Sequence, residues 1–503
     1  MYLILILIFL ITLFYYKAIK PYSYWTQRGV KQRKQIYLLG DNAGQIFKRE
    51  SFYGMIKNLY EHFPQERYFG MYQMLHPTLL LRDPELIKTI TIKDFDHFVN
   101  HKPLLPESSE TIWTKNILLT QDDDWRQVRV ALTPNFTSNK MKLMFGIIFE
   151  TTNTYVKHFQ NLNDKVYEVE LKDLMTRYAI DIISTIAFGF KCDSINDKNN
   201  EFYIKGVDLG RLDFKRVLKF FAFDLFPTLS NLIKIKVFPR SLSSFFENII
   251  KTTIKLREEQ GIVRGDMIDF LLQSRDKMED KNLLSDENIT AHAFSFFFGG
   301  FESTSTVLSF MGYELAINPE IQQKLQEEID KTFQECNGNL TYDALQKMRY
   351  MDMVVSETLR KWPPNPFTDR VCVKPYTIPP TNQHEQSLNL EVGQTVWIPI
   401  YGLHNDPEYF PNPTKFDPER FNDENKQNIP SGVYVPFGMG PRNCIGSRMA
   451  LLEIKLFFFN MLANFDFIQI NKTENPLKLV NYGLTLITEN GIWVGLKPRM
   501  FKN

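Results

Sequence analysis

Met1 to Tyr16 is almost unbroken Leu, Ile and Phe, and Lys17, Lys20 and Pro21 end the run. A stretch of that length is just able to cross a thin bilayer, with tyrosines at its lower end. No positive charge precedes it and no small-residue cleavage site follows it, so a retained anchor is predicted rather than a cleaved signal. The next basic residues, Arg28, Lys31, Arg33 and Lys34, keep the bulk of the chain on the cytoplasmic side. The pattern therefore predicts a membrane anchor over 1–20, a basic linker over 21–34, and one domain over 35–503, where no repeat or low-complexity stretch intervenes.

Within that domain the periodicity is mostly helical, with short strand patterns at its edges. Arg67 to Leu81 reads as a hairpin turning near His76-Pro77, and Asp83-Pro84 opens a helix. Leu104 to Leu119 has no clear period and is predicted to be a long loop. Asp122, Asp123 and Asp124 favour a helix start, which places Trp125 and Arg129 on one face. Phe214 to Phe238 is rich in Phe, Leu and Ile with lysines between, which fits a core helix or a membrane-facing segment. Asn288 to Leu315 is the longest helical pattern, and its middle holds Gly299-Gly300-Phe301-Glu302-Ser303-Thr304. Each glycine inside a helix costs about 1 kcal/mol against alanine, so the pair implies a kink or a close approach. Either the pair packs against a neighbour beside a solvated glutamate, or it opens a groove in which an acid and two hydroxyls can pass protons. Glu357 and Arg360 lie three apart on a helix, and Arg420 follows in Asp417-Pro418-Glu419-Arg420. Arg370 precedes a short strand pattern at Val371-Cys372-Val373, and Asn481 to Leu486 reads as a hairpin tip. The fold class predicted is mainly α with a smaller β-sheet region (α+β).

Composition narrows the chemistry. Lysine plus arginine total 59 against 58 aspartate plus glutamate, which gives no electrostatic case for nucleic acid. Cys192, Cys336, Cys372 and Cys444 are scattered without metal-site or dithiol spacing, the usage of a reducing compartment in which one thiolate can stay free. No two histidines fall as spaced ligands within one predicted helix.

One stretch concentrates the chemistry. Pro436-Phe437-Gly438-Met439-Gly440-Pro441-Arg442-Asn443-Cys444-Ile445-Gly446 is followed at once by an apolar helical run from Met449. Glycine permits tight turns beside a flat ligand, and a sulfur just before a helix N-terminus is favoured as an anion. Arg442 can meet a carboxylate. The stretch matches Phe-x-x-Gly-x-Arg-x-Cys-x-Gly, and here the chain resembles the cytochrome P-450 family of haem-thiolate monooxygenases. Trp125-x-x-x-Arg129, the Gly-Gly-x-Glu-Ser-Thr segment, Glu357-x-x-Arg360 and the Arg420 segment resemble further motifs of that family in the same order.

The resemblance implies the cytochrome P-450 fold, haem b (iron protoporphyrin IX) as cofactor and Cys444 as its axial iron ligand. It implies Arg442, Trp125, Arg129, Arg370, Phe437 and His101 around the haem, several at its propionates. Glu302, Ser303 and Thr304 would deliver protons; Ser303 stands where the family has threonine, losing the methyl that restrains its rotamer. Glu357, Arg360 and Arg420 would form a structural clamp. The segment Ile92 to Phe98 is similar to insect xenobiotic-metabolising members. The implied reaction inserts one oxygen atom from O2 into a small lipophilic substrate. No Gly-x-Gly-x-x-Gly signature is present, so electrons are expected from a separate NADPH-cytochrome P-450 reductase, with cytochrome b-five as a further donor. The implied location is the endoplasmic reticulum membrane. A haem-thiolate isomerase of lipid peroxides and a non-catalytic lipophile-binding protein are the other two readings.

Overall fold

The computed structural model describes residues 2–103, 105, 111–162, 165–210, 213–383, 385–483 and 485–499. Leu104 of the predicted loop and Leu484 of the predicted hairpin tip lie outside them. The described part is mostly helical with small sheets.

The apolar N-terminal run forms α1 (Tyr2–Phe14), which continues through single tighter and wider turns to Gln27, long and apolar enough to cross a membrane. The helix therefore runs beyond the predicted anchor. Its end docks on protein: Trp25 is fully buried and its indole N–H donates to the Met71 carbonyl at 3.1 Å. Gly70 is required beneath it, because a Cβ there would overlap the Trp25 ring.

The predicted hairpin is β1 (Tyr68–Gln73) and β2 (His76–Leu81), antiparallel, with Phe69 opposite Leu80. Asp83 then caps the next helix by accepting from the Glu85 amide, as the Asp-Pro pair implies. A four-stranded sheet runs in the order β1-β2-β7-β4, where β4 is Thr368–Val371 and β7 is Thr395–Ile398. The strand expected at 371–373 thus begins three residues earlier and holds Arg370, fully buried, inside the ladder. Two smaller sheets complete the β structure: β5 (Tyr376–Ile378) with β6 (Leu388–Leu390), and β3 (Tyr167–Glu170), β9 (Trp493–Pro498) and β8 (Phe465–Ile468).

The larger core is helical. Asp122–Leu132 is α2, Ser138–Gln160 is α3, Leu171–Phe188 is α4 and Phe214–Leu225 is α5. Asp286–Ile317 is α6, Arg349–Lys361 is α7 and Ser447–Asn464 is α8. Helices α3, α4, α6 and α8 pack on one another around Tyr178, Phe297, Leu308 and Phe457. Helix α6 passes unbroken through Gly299-Gly300, so of the two expectations it is the close approach that is seen: a Cβ on Gly300 would lie 2.8 Å from Ile183 of α4.

The loop predicted over 104–119 contains one helical turn at Thr111–Thr114. Trp113 holds it down, stacking on Phe238 at 3.8 Å and meeting Phe294 of α6 edge-on. Of the stretch 214–238, Val217, Phe221 and Phe223 are buried, whereas Phe226, Leu229, Leu232 and Ile233 are exposed in and at the ends of the short helix Pro227–Leu232 that follows α5.

Candidate active site

Cys444 ends a loop closed by its own backbone, its amide donating to the Phe437 carbonyl at 2.8 Å. Gly438 and Gly440 both have positive φ, and a Cβ on Gly440 would overlap the Thr91 carbonyl oxygen, so glycine is required there. The sulfur precedes α8 by three residues, and the amides of Gly446 and Ser447 point at it. Cys444 is exposed, yet dense surrounding protein pushes its thiol pKa up. Both hold together only if the accessible face opens into an internal cleft. The Gly446 amide, Arg129 and the Ser447 amide pull the other way. A metal cation bound at the sulfur would displace the thiol's proton.

Around this loop the sequence-predicted residues converge from four elements. Arg129 of α2 donates to the Asn443 side-chain oxygen at 2.8 Å. Arg442 lies over the Trp125 ring at 4.0 Å and donates to the carbonyls of Val99, Ile117, Leu118 and Thr120. Burial, with Arg370 close by, pulls its pKa down to about 9. Its contacts within the protein stitch the loop before α2 to the cysteine loop. Arg370 donates to the Asp369 and Met439 carbonyls, its pKa is drawn down to about 10 by burial, and its Nε has no partner. His101 meets the Asp369 carboxylate through Nδ1 at 2.8 Å. Burial favours the neutral imidazole. Burial alone would raise Asp369, but His101, the Lys102 amide and Arg370 outweigh it and hold the carboxyl below its usual range.

The other wall comes from α6. Ser303 Oγ donates to the Gly299 carbonyl at 2.6 Å, one turn back, and a Cβ on Gly299 would meet only open space. Gly299 and Ser303 therefore share one open face of the helix. Thr304 is buried, and Glu302 turns towards α4, where Lys172 Nζ reaches it at 3.2 Å and also donates to Ser305 and Thr306. The acid and the two hydroxyls thus point in different directions. Phe296, Phe297 and Phe298 fan out likewise, towards Phe136, Phe246 and Trp113.

Behind the cysteine loop, Glu357 and Arg360 are both fully buried and bidentate at 2.6 and 2.8 Å. Arg420 Nε lies 3.4 Å from the same carboxylate, which also accepts the Asp417 amide at 2.9 Å. Arg360 reaches the His404 and Pro413 carbonyls, and the His404 ring accepts the Val435 amide at 3.0 Å, one residue before the cysteine stretch. His404, Asp369 and Lys172 were not foreseen, since each lies in an unremarkable local pattern and gains its partner from a distant element; Asn443 lies within the cysteine stretch, but its partner Arg129 comes from α2. Phe437 is half-buried and packs on the helical core.

These residues fit a large, flat, dianionic iron ligand: a soft anionic donor, cations beside it, a buried guanidinium nitrogen without a partner, and an open helix face. Comparison with known proteins bears on the same point. The Cytochrome P-450 family model matches residues 36–494. The chain belongs to the cytochrome P-450 family. It is 38% identical to cytochrome P-450 9e2 of Blattella germanica, covering 98% of this chain and 97% of that one. Cytochrome P-450 9b2 of Drosophila melanogaster is 37% identical over 97% of each chain. Cytochrome P-450 6j1 of Blattella germanica is 32% identical over 95% of this chain and 94% of its own. As a P-450 resembling these insect members, the protein is a haem-thiolate monooxygenase that binds iron protoporphyrin IX and takes electrons from redox partners.

Proposed function

We propose that this chain is a microsomal monooxygenase that oxidises lipophilic compounds, xenobiotics or endogenous lipids, using O2 and electrons from NADPH-cytochrome P-450 reductase. Residues 1–20 hold it in the endoplasmic reticulum membrane and residues 35–503 work on the cytoplasmic side. The observation that carries this reading is the Cys444 sulfur, set before α8 under the amides of Gly446 and Ser447 with Arg129 beside it.

The haem, when bound through Cys444, supplies the activation of dioxygen, which thiolate ligation favours. The chain's own part is positional. The two amides and Arg129 hold negative charge on the sulfur. Arg370, Arg129 and Arg442, with Trp125 and His101, would hold the propionates. Ser303 keeps a hydroxyl at the Gly299 carbonyl, on the open face of α6, where it can pass a proton; Thr304 and Glu302 lie behind it. The aromatic layer of Trp113, Phe294 and Phe298 keeps bulk water from that face and gives a greasy substrate its lining.

The deciding experiment is the carbon monoxide difference spectrum of the reduced full-length protein, followed by turnover with reductase and NADPH. A strongly red-shifted Soret band that is lost in Cys444→Ser, and NADPH-dependent product, are expected. A normal haem spectrum at full haem loading would remove Cys444 as ligand. Product formed from lipid peroxides without NADPH would instead make the protein an isomerase, and ligand-induced spectral shifts without product would make it a binding protein.

A further inference from the structure

Asp369 of β4 sits among the basic residues beside the cysteine loop and divides its two oxygens between neighbours. One meets the His101 ring at Nδ1, at 2.8 Å, and the other accepts the Lys102 amide at 2.6 Å. The Asp369 carboxyl is held below its usual range, so it is ionised and can only accept. The proton in the bond to His101 therefore belongs to the imidazole. A neutral ring is thereby fixed with its proton on Nδ1, and Nε2 is left as a bare acceptor. Among the described residues Nε2 has no hydrogen-bond partner, and it is not sealed off, since the His101 side chain is 10% accessible.

The charges around the ring pull in both directions. Burial opposes a second proton on it, as do Arg370 of the same strand and Arg442 of the cysteine loop, while Asp369 favours one. Lys102 turns its amine away, to Asp224 at 2.7 Å and Gln73 at 3.2 Å. Burial prevails, so the ring is neutral above about pH 6.5. A propionate, like Nε2, is an acceptor, and two acceptors facing each other have no proton to share. An imidazolium donates from both nitrogens and can bridge Asp369 to a propionate.

We propose that Asp369, by holding the His101 proton on Nδ1, obliges the ring to take up a second proton on Nε2 when it holds a haem propionate, and so ties haem retention to pH. Asp369 is then a positioning residue that acts through His101. This role presupposes the haem-thiolate reading given above and goes beyond it. The step takes one proton from solvent and returns it on haem release, and no electrons move. The ring's pKa is higher with a propionate at Nε2 than without one. Its contribution to haem retention is therefore full below the pKa of the haem-free ring and is lost as pH rises through that of the haem-bound ring. Between the two, one linked proton changes haem affinity by about tenfold per pH unit.

The test is the partition of haem between the full-length protein and apomyoglobin from about pH 6 to about pH 8, in wild type, His101→Arg and Asp369→Asn. The guanidinium of His101→Arg keeps its protons throughout, and the proton that Cys444 gives up is common to both proteins and cancels. The ratio of wild-type to His101→Arg affinity should fall by about tenfold per pH unit over part of this range. In Asp369→Asn the side-chain oxygen can keep the Lys102 amide while its NH2 donates to Nδ1, which moves the ring proton to Nε2. The ratio of that variant to His101→Arg should be flat. A flat ratio in wild type, or the wild-type slope kept in Asp369→Asn with haem weakened equally at every pH, would overturn the proposal. With the thiolate carbon monoxide spectrum intact, either result leaves the haem-thiolate reading standing. Should Asp369→Asn hold no haem, the wild-type slope decides alone, because a ring free to carry its proton on Nε2 needs no second one. A wild-type protein without the thiolate spectrum would overturn the haem-thiolate reading and this proposal with it.

Discussion

Replacing Glu357 by alanine tests the most deeply buried charges of the site. The pair Glu357–Arg360 is fully shielded from water, with Arg360 making two short contacts to the carboxylate and two to the His404 and Pro413 carbonyls at 2.8 Å. Glu357→Ala would leave the guanidinium with only neutral acceptors, and removing one partner of such a pair costs about 3–5 kcal/mol. Against a total stability of about 5–15 kcal/mol, that is about a fifth or more of what holds a typical domain. Arg360→Leu should cost a similar amount, because the carboxylate would keep only Arg420 at 3.4 Å and the Asp417 amide. The double variant Glu357→Leu/Arg360→Met removes both charges, so it should be no worse than either single change and far better than their sum. Urea denaturation followed by tryptophan fluorescence gives the stabilities, and haem content after gel filtration reports the cysteine loop, which His404 links to the clamp through Val435. A loss below about 1 kcal/mol for Glu357→Ala, the size expected of an exposed pair, would refute the reasoning. Additive costs in the double variant would refute it equally.

The paired glycines of α6 should respond in opposite senses. Gly299→Ala adds a methyl in open space and should raise helix stability by about 1 kcal/mol, whereas Gly300→Ala must displace Ile183 and should lower the melting temperature; equal shifts would contradict the packing. His292 and His404 are buried, and burial lowers their pKa values to about 4 and about 3. The unfolded chain then binds more protons than the folded one below about pH 6.5. Stability contributed by the neutral rings is thus full above that pH and falls by about 1.4 kcal/mol per pH unit per histidine towards pH 4. Denaturation midpoints of His292→Leu against pH should show the shallower fall; an identical slope would count against a buried neutral ring. Ser303→Ala should lower product formed per NADPH consumed with haem binding intact, and Ser303→Thr should preserve or raise it. An unchanged ratio would take Ser303 out of proton delivery.

The predicted elements with strong local signals match the structure closely. The Asp83 cap, the 68–81 hairpin and the long helix through Gly299 each rest on contacts between near neighbours, which local sequence encodes. The loop at 104–119 lacked such a signal; its helical turn exists because Trp113 stacks on Phe238, more than a hundred residues away. The stretch 214–238 could not be assigned to core or surface from its composition, because hydrophobicity does not say which side chains find a covering partner.

By itself, the sequence determined the family and the loop that carries Cys444, since a cysteine between turn-forming glycines and a helix start is a local arrangement written in consecutive residues. It also placed Glu357 and Arg360 within reach of each other through the helical repeat. Only the tertiary structure decided where each charged group spends its bonds. Glu302 faces Lys172 and not Ser303, Arg442 faces four main-chain carbonyls, and Asp369 holds His101. Those choices depend on which polar group a distant helix or strand brings within about 3 Å, and a hydrogen bond has no reach beyond that.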